Sequence, residues 1–128
     1  MKNEIEIASI LKELGIPANV KGYFCLKFAI SKMIDDMSLM SAITKRMYPM
    51  IAKEFDLTTS RAERVIRYAI EIGWTRGNIA AQNNLFGFSV DANKGLPTNS
   101  EFIVTVADYI LMTRNISIER VVTSEQKP

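Results

Sequence analysis

One break in a helical pattern constrains this chain most. From Pro49 to Arg76 the apolar residues keep helical spacing except around Asp56, where the pattern stops and restarts. Ala52 supplies a small side chain where two helices can approach closely. Asp56, four residues on, is one of the few non-glycine types that tolerates a left-handed backbone. Leu57 is placed to plug the corner, and Ala62 and Val65 face back toward the first helix. Ser60, with Glu63 three residues later, fits a capping box. The pattern predicts a short helix from Pro49 to Phe55, a tight turn, and a long helix from Ser60 to about Arg76 that Gly77 stops. Pro49 suits a first helical position, because the N–H it lacks would have no helical partner there.

The remaining spacing is helical as well. Ile5, Ile7, Ala8, Leu11 and Leu14 predict a first helix ending at Gly15. Phe24, Phe28, Ile30, Met33 and Ile34 predict a second, from about Lys21 to Met37, with Gly22 near its start, where glycine costs least. A third segment runs from about Ser38 to Met47. After the helix-turn-helix, a shorter helix spans about Asn78 to Phe86, and a loop follows from Ser89 to Pro97. Thr98 and Glu101 then form a second capping box. It opens a last helix with Phe102, Ile103, Val106, Ala107, Ile110 and Leu111 inward. No repeat, low-complexity stretch or linker divides the chain. The expectation is one all-α domain of six helices over residues 1–115, with a loose tail over 116–128.

Composition excludes several classes. No apolar run approaches the roughly 20 residues a membrane-spanning helix needs. The acidic start, Glu4 and Glu6 among the first six residues, is unlike a signal peptide, so a cytoplasmic protein is expected. The single cysteine, Cys25, lies in an apolar neighbourhood and reads as a buried structural thiol. There is no histidine, which removes histidine-based catalysis and every histidine-containing metal site. Asp35 and Asp36, the one adjacent acidic pair, read as a solvated helix end. No catalytic residue, metal or cofactor is expected, and the chain reads as a binding protein, not an enzyme.

The net charge of +2 says little, but its distribution says more. Residues 1–44 carry five basic and five acidic side chains, residues 45–76 carry seven and four, and residues 77–128 carry four and five. The positive excess therefore lies in the segment with the helix-turn-helix pattern, as phosphate contact requires. Arg61, Arg64 and Arg67 fall about one turn apart on the face opposite Ala62 and Val65. The arginine fork matches O6 and N7 of guanine, and the start of a recognition helix reaches base edges, so Arg61 and Arg64 are read as base contacts. Arg67 reaches either a base or a phosphate. Glu63 either caps the helix or accepts from a cytosine amino group, and the pattern favours capping. Thr58, Thr59 and Ser60 suit phosphates at the helix N-terminus, and Lys45, Arg46 and Lys53 suit phosphates from the preceding elements.

A resemblance adds to this reading. Tyr48-Pro49, Ile51-Ala52-Lys53, Thr58-Thr59-Ser60-Arg61, Glu63-Arg64, Ile66-Arg67, Ala69-Ile70-Glu71, Trp74 and Arg76-Gly77-Asn78-Ile79 carry it. So do Gly15-Ile16-Pro17-Ala18, Lys21-Gly22-Tyr23, Leu85-Phe86-Gly87 and Pro97-Thr98-Asn99-Ser100-Glu101-Phe102-Ile103. Over roughly Ile7 to Leu111 the chain resembles the DNA-binding effector domain of the master response regulator of sporulation in endospore-forming bacteria, the stage 0 sporulation protein A family.

The resemblance implies a six-helix domain with the helix-turn-helix on its third and fourth helices. It implies binding to a short promoter box, often as head-to-tail copies on tandem sites. It also implies activation or repression of transcription through the sigma factor of RNA polymerase. The family's base-reading residues match Arg61, Glu63 and Arg64, which favours Glu63 as a reader. Tyr68 stands where family members commonly carry histidine, and is expected at the DNA backbone. The family's activating surface corresponds to Ile79 to Val90, with Ile79, Gln82 and Phe86 as candidate sigma-factor contacts and a core role as the other reading of Phe86. Ala80, Ala81, Gln82 and Asn83 depart from the family's serine-rich pattern there. Family members carry a phospho-accepting receiver domain first. The acids of this chain form no receiver pocket, so no receiver domain is expected in it. The competing reading is a protein-interaction module that binds the sigma factor or a full-length relative without specific DNA binding.

Overall fold

The computed structural model describes residues 2–87 and 95–126, with side chains at 3–87 and 95–115. Six α-helices follow in order: α1 (Lys2–Glu13), α2 (Lys21–Asp35), α3 (Tyr48–Phe55), α4 (Thr59–Arg76), α5 (Ile79–Phe86) and α6 (Asn99–Gln126). The described residues contain no strand. The all-α, six-helix expectation therefore holds.

Helix α2 is the central post, packed on α1, α4 and α6. Its buried residues include Leu26, Ile30 and Met33, each worth about 1.5–3 kcal/mol when removed from water. Two expected core positions are instead exposed: Ile5 at 75% and Phe24 at 48%. Ile10 takes the inward place on α1, and Phe24 lines an open cleft with Phe28 and Phe55. Periodicity marks an apolar face, but the placement of neighbouring helices decides which edge of that face is covered.

Gly22 has a stronger role than an inexpensive helix start. A Cβ there would overlap the Val65 carbonyl oxygen and lie 2.8 Å from Ala69 Cβ, so α2 and α4 touch backbone to backbone. Helix α2 also ends earlier than expected, because Asp36 turns extended, with φ −151°.

The third segment, expected from about Ser38 to Met47, divides in two. Met37–Ser41 is a 3₁₀ turn, capped by Asp36, whose Oδ1 accepts from the Ser38 N–H at 3.0 Å and the Ser38 hydroxyl at 2.6 Å. These bonds, the hydroxyl's first, hold the Asp36 carboxyl below its usual range. Ile43–Met47 is a wide π turn that runs directly into α3. Pro49 follows in the first turn of α3: lacking an N–H, it leaves the Lys45 carbonyl without its α-helical partner.

Helix α6 opens as expected. Glu101 N–H donates to Thr98 Oγ1 and Thr98 N–H to Glu101 Oε1, both at 3.1 Å. Phe102, Ile103, Val106, Ala107 and Ile110 are buried, and Leu111 is half-buried. The helix continues beyond Asn115 to Gln126, past the point where a loose tail was expected. Arg114 ties it to α1, through Glu6 Oε1 at 2.9 Å and Asn3 Oδ1 at 2.6 Å. Of the expected loop from Ser89 to Pro97, residues 89–94 lie outside the described residues.

Candidate nucleic-acid interface

Helices α3 and α4 form the expected helix-turn-helix. Eight residues are too few for a stable isolated helix, so α3 depends on packing, which Ile51 and Ala52 provide. Asp56 is left-handed, with φ 55° and ψ 55°, and its N–H bonds the Ala52 carbonyl. The Leu57 N–H bonds the same carbonyl at 2.9 Å. The turn aspartate thus does the work a glycine would do, and only three residues separate α3 from α4.

The cap of α4 is not Ser60. Thr58 is the extended residue before the helix, and its Oγ1 accepts from the Arg61 N–H at 3.1 Å. Such a cap is worth about 1 kcal/mol. Three hydroxyl residues in a row offered three registers, and the tight turn at Asp56 places the first of them at the cap. Ser60 is consequently inside the helix, and Glu63 lies too far along to close a capping box. The capping reading of Glu63 falls, and its carboxylate is free for another use.

Ala62, Ile66, Ala69, Ile70 and Gly73 form the buried stripe of α4. Opposite them, Arg61, Arg64 and Arg67 are all exposed. On an ideal helix Arg64 stands near the middle of the outward face, with Arg61 and Glu63 toward its two margins. Among the described residues, none of these three arginines has a carboxylate within ion-pair distance, whereas Arg114 is paired. The cationic face is thus uncommitted among the described residues. Tyr68, 58% exposed, extends the same face by a turn. Thr59, Ser60, Lys45, Arg46 and Lys53 are exposed, the last on α3 and the two before it on the π turn.

A residue missed by sequence reasoning borders this face. Asn99, at the start of α6, is 5% exposed. Its Nδ2 donates to the Tyr48 hydroxyl and to the Glu63 main-chain carbonyl, each at 3.0 Å. With Thr44, Arg67, Thr98 and Ser100 these groups line a polar cleft of about 160 Å³ beside α4. Burial pushes the Tyr48 phenol above its usual range, and the nearby Glu63 carboxylate adds to the rise. The hydrogen bond from Asn99 and the charge of Arg67 act the other way. Nothing local in the sequence signals this node, because its partners lie 51 and 36 residues away.

Two candidate sigma-factor contacts change meaning. Phe86 is 3% exposed and stacks with Phe102 at 5.5 Å and edge-on with Trp74 at 5.1 Å, so it is core and not a surface anchor. Gln82 turns its amide nitrogen into the protein, beside Gly77. Ile79, 70% exposed, remains outward. Cys25 is fully buried, and burial pushes its thiol up to about 11, as an inert structural thiol requires.

The described residues contain no cluster of three or more potential metal ligands. No helix among them is long and apolar enough to cross a membrane. A protein-family model described as "Sporulation initiation factor Spo0A C terminal" matches residues 7–110. The chain belongs to this family. The Spo0A C-terminal domain is a DNA-binding effector module of a sporulation response regulator, a regulator of transcription and not a catalyst. The match covers the helix-turn-helix, the aromatic cluster around Phe86 and residues 99–110 of α6.

Proposed function

We propose that this protein reads a short promoter box with α4 in the DNA major groove. In this reading Arg61 and Arg64 bond guanine edges and Glu63 accepts from a cytosine amino group. Lys45, Lys53, Thr58, Thr59, Ser60, Arg67 and Tyr68 face the sugar-phosphate backbone. Thr58 spends an oxygen lone pair on its cap, and its hydroxyl hydrogen is left for a phosphate. Tandem boxes would seat two copies head to tail, in the cytoplasm where promoter DNA lies. The observation that carries the reading is the uncommitted arginine face on a helix started by a left-handed turn and a side-chain cap.

The test is binding of the purified chain to a duplex carrying the sporulation-type promoter box and to a scrambled duplex, across a range of salt. Preference for the box that persists as salt rises supports the reading. Equal, steeply salt-sensitive binding to both would refute it. Arg64→Ala should cost about 1–3 kcal/mol on the box and far less on the scrambled duplex.

Contact with the sigma factor of RNA polymerase belongs to the same proposal. Ile79 supports it, as an apolar side chain left exposed on α5. Ile79→Ser should lower transcription from a box-bearing template without altering affinity for the box. Unchanged transcription would remove α5 from that role.

A further inference from the structure

Among the described residues, the polar side chain that the core buries sits where the recognition helix meets the last one. A side-chain amide nitrogen has two hydrogens. Asn99 gives one to Tyr48, the first residue of α3, and the other to the Glu63 carbonyl in α4. One side chain at the head of α6 therefore ties both helices of the helix-turn-helix.

The two kinds of contact on α4 act differently. The Gly22 contact fixes how close α4 lies to α2, but the apolar burial around it is non-directional and does not by itself set the roll of the helix. A hydrogen bond is directional, with a narrow distance and a preferred angle. The carbonyl that Asn99 holds belongs to the residue between Arg61 and Arg64 on the DNA-facing turns. Bidentate arginine contacts need both N–H groups aimed at one base, so they suffer from a small roll of the helix. Phosphate contacts tolerate it.

We infer that Asn99 is a positioning residue for base reading: it sets the roll of α4, so that Arg61, Glu63 and Arg64 meet base edges together. This role rests on the DNA-reading function proposed above. It requires that loss of Asn99 impair discrimination, not general attraction to DNA.

The test compares the wild-type chain with Asn99→Leu, which keeps the volume and removes both hydrogen bonds, and with Tyr48→Phe, which removes one partner. The quantities are affinity for the box, affinity for a scrambled duplex, the salt slope of each, and the thermal midpoint. Asn99→Leu, which releases the Glu63 carbonyl, should lower the box-to-scrambled ratio about tenfold, the discrimination of about one good base contact, whereas Tyr48→Phe, which keeps that bond, should lower it less. Affinity for the scrambled duplex and the salt slope should stay within about twofold of wild type, because the phosphate-facing cations are untouched. A lower thermal midpoint with an unchanged ratio in the folded range would show Asn99 to be structural only and overturn the inference. If Asn99→Leu does not fold, Asn99→Ala, which also releases the Glu63 carbonyl, decides by its ratio. A wild-type ratio of one would overturn the DNA-reading proposal and this inference with it, whereas a selective wild type with unaltered variants overturns only the inference.

Discussion

Helix α4 is held by two different means, close backbone contacts along its buried face and an aromatic cluster at its end. The close contacts are small: Gly22 of α2 lies against the Val65 backbone and Ala69, and Gly73 of α4 lies against the Leu14 carbonyl and Ile16. At the end, Trp74 meets the rings of Phe86 and Phe102 at 5.1 and 6.1 Å. Rings bury much area and supply much stability, but a ring can turn about its bonds to suit a shifted neighbour. A contact between backbones has no such freedom. The close contacts therefore fix how near α4 lies to its neighbours, and the bulky cluster lies where α5 has to be fastened.

Three experiments sharpen or break this contrast. Phe86→Ala should have the largest effect on stability, about 3–5 kcal/mol by denaturant titration, from lost burial and the cavity left between Trp74 and Phe102. Its affinity for the box, measured where the variant is folded, should match wild type. Lost selectivity there would mean that the cluster also positions the arginines. Gly22→Ala should cost somewhat less, about 3 kcal/mol, because the added methyl forces α2 and α4 apart. Unlike Phe86→Ala, it should also lower selectivity for the box, and full selectivity in this variant would end the contrast. The smallest effect is a pH dependence. The Cys25 thiol ionises at about 11 in the fold, against 9.0 as its ordinary value. Between those limits the unfolded chain binds fewer protons than the folded one, so stability falls as pH rises. The thermal midpoint should drop through this range, and Cys25→Ala should drop less steeply. An identical slope would assign the alkaline loss elsewhere, with the Tyr48 phenol next in line.

Local chemistry made much of this molecule legible. Asp56 announced the turn because few residues accept its backbone angles, and Gly77, at φ 33°, announced the end of α4. Thr98 and Glu101 bond each other's backbone as their spacing requires. The same motif misled at Ser60 and Glu63, because a hydroxyl three residues before a glutamate is a pattern that a helix interior also contains. What stayed hidden was tertiary. Gly22 reads as a neutral residue until α4 is laid across it, Phe86 reads as surface or core with equal ease, and Asn99 has no partner within its own helix. For the interface, the arginine face was legible as composition plus period. The groups that aim it were not, since they lie on α2, α3 and α6.

Gly22 has a consequence for the thermodynamics of association. A recognition helix seated backbone against backbone has little conformational entropy left to lose when a ligand arrives. Under the proposed reading, the ordering left to α4 on contact is that of its arginine side chains, each free to search rotamers until a base edge or phosphate stops it. Complex formation by such a surface should show the heat-capacity change of a rigid docking, governed by the area covered, and not the greater change that accompanies folding on binding.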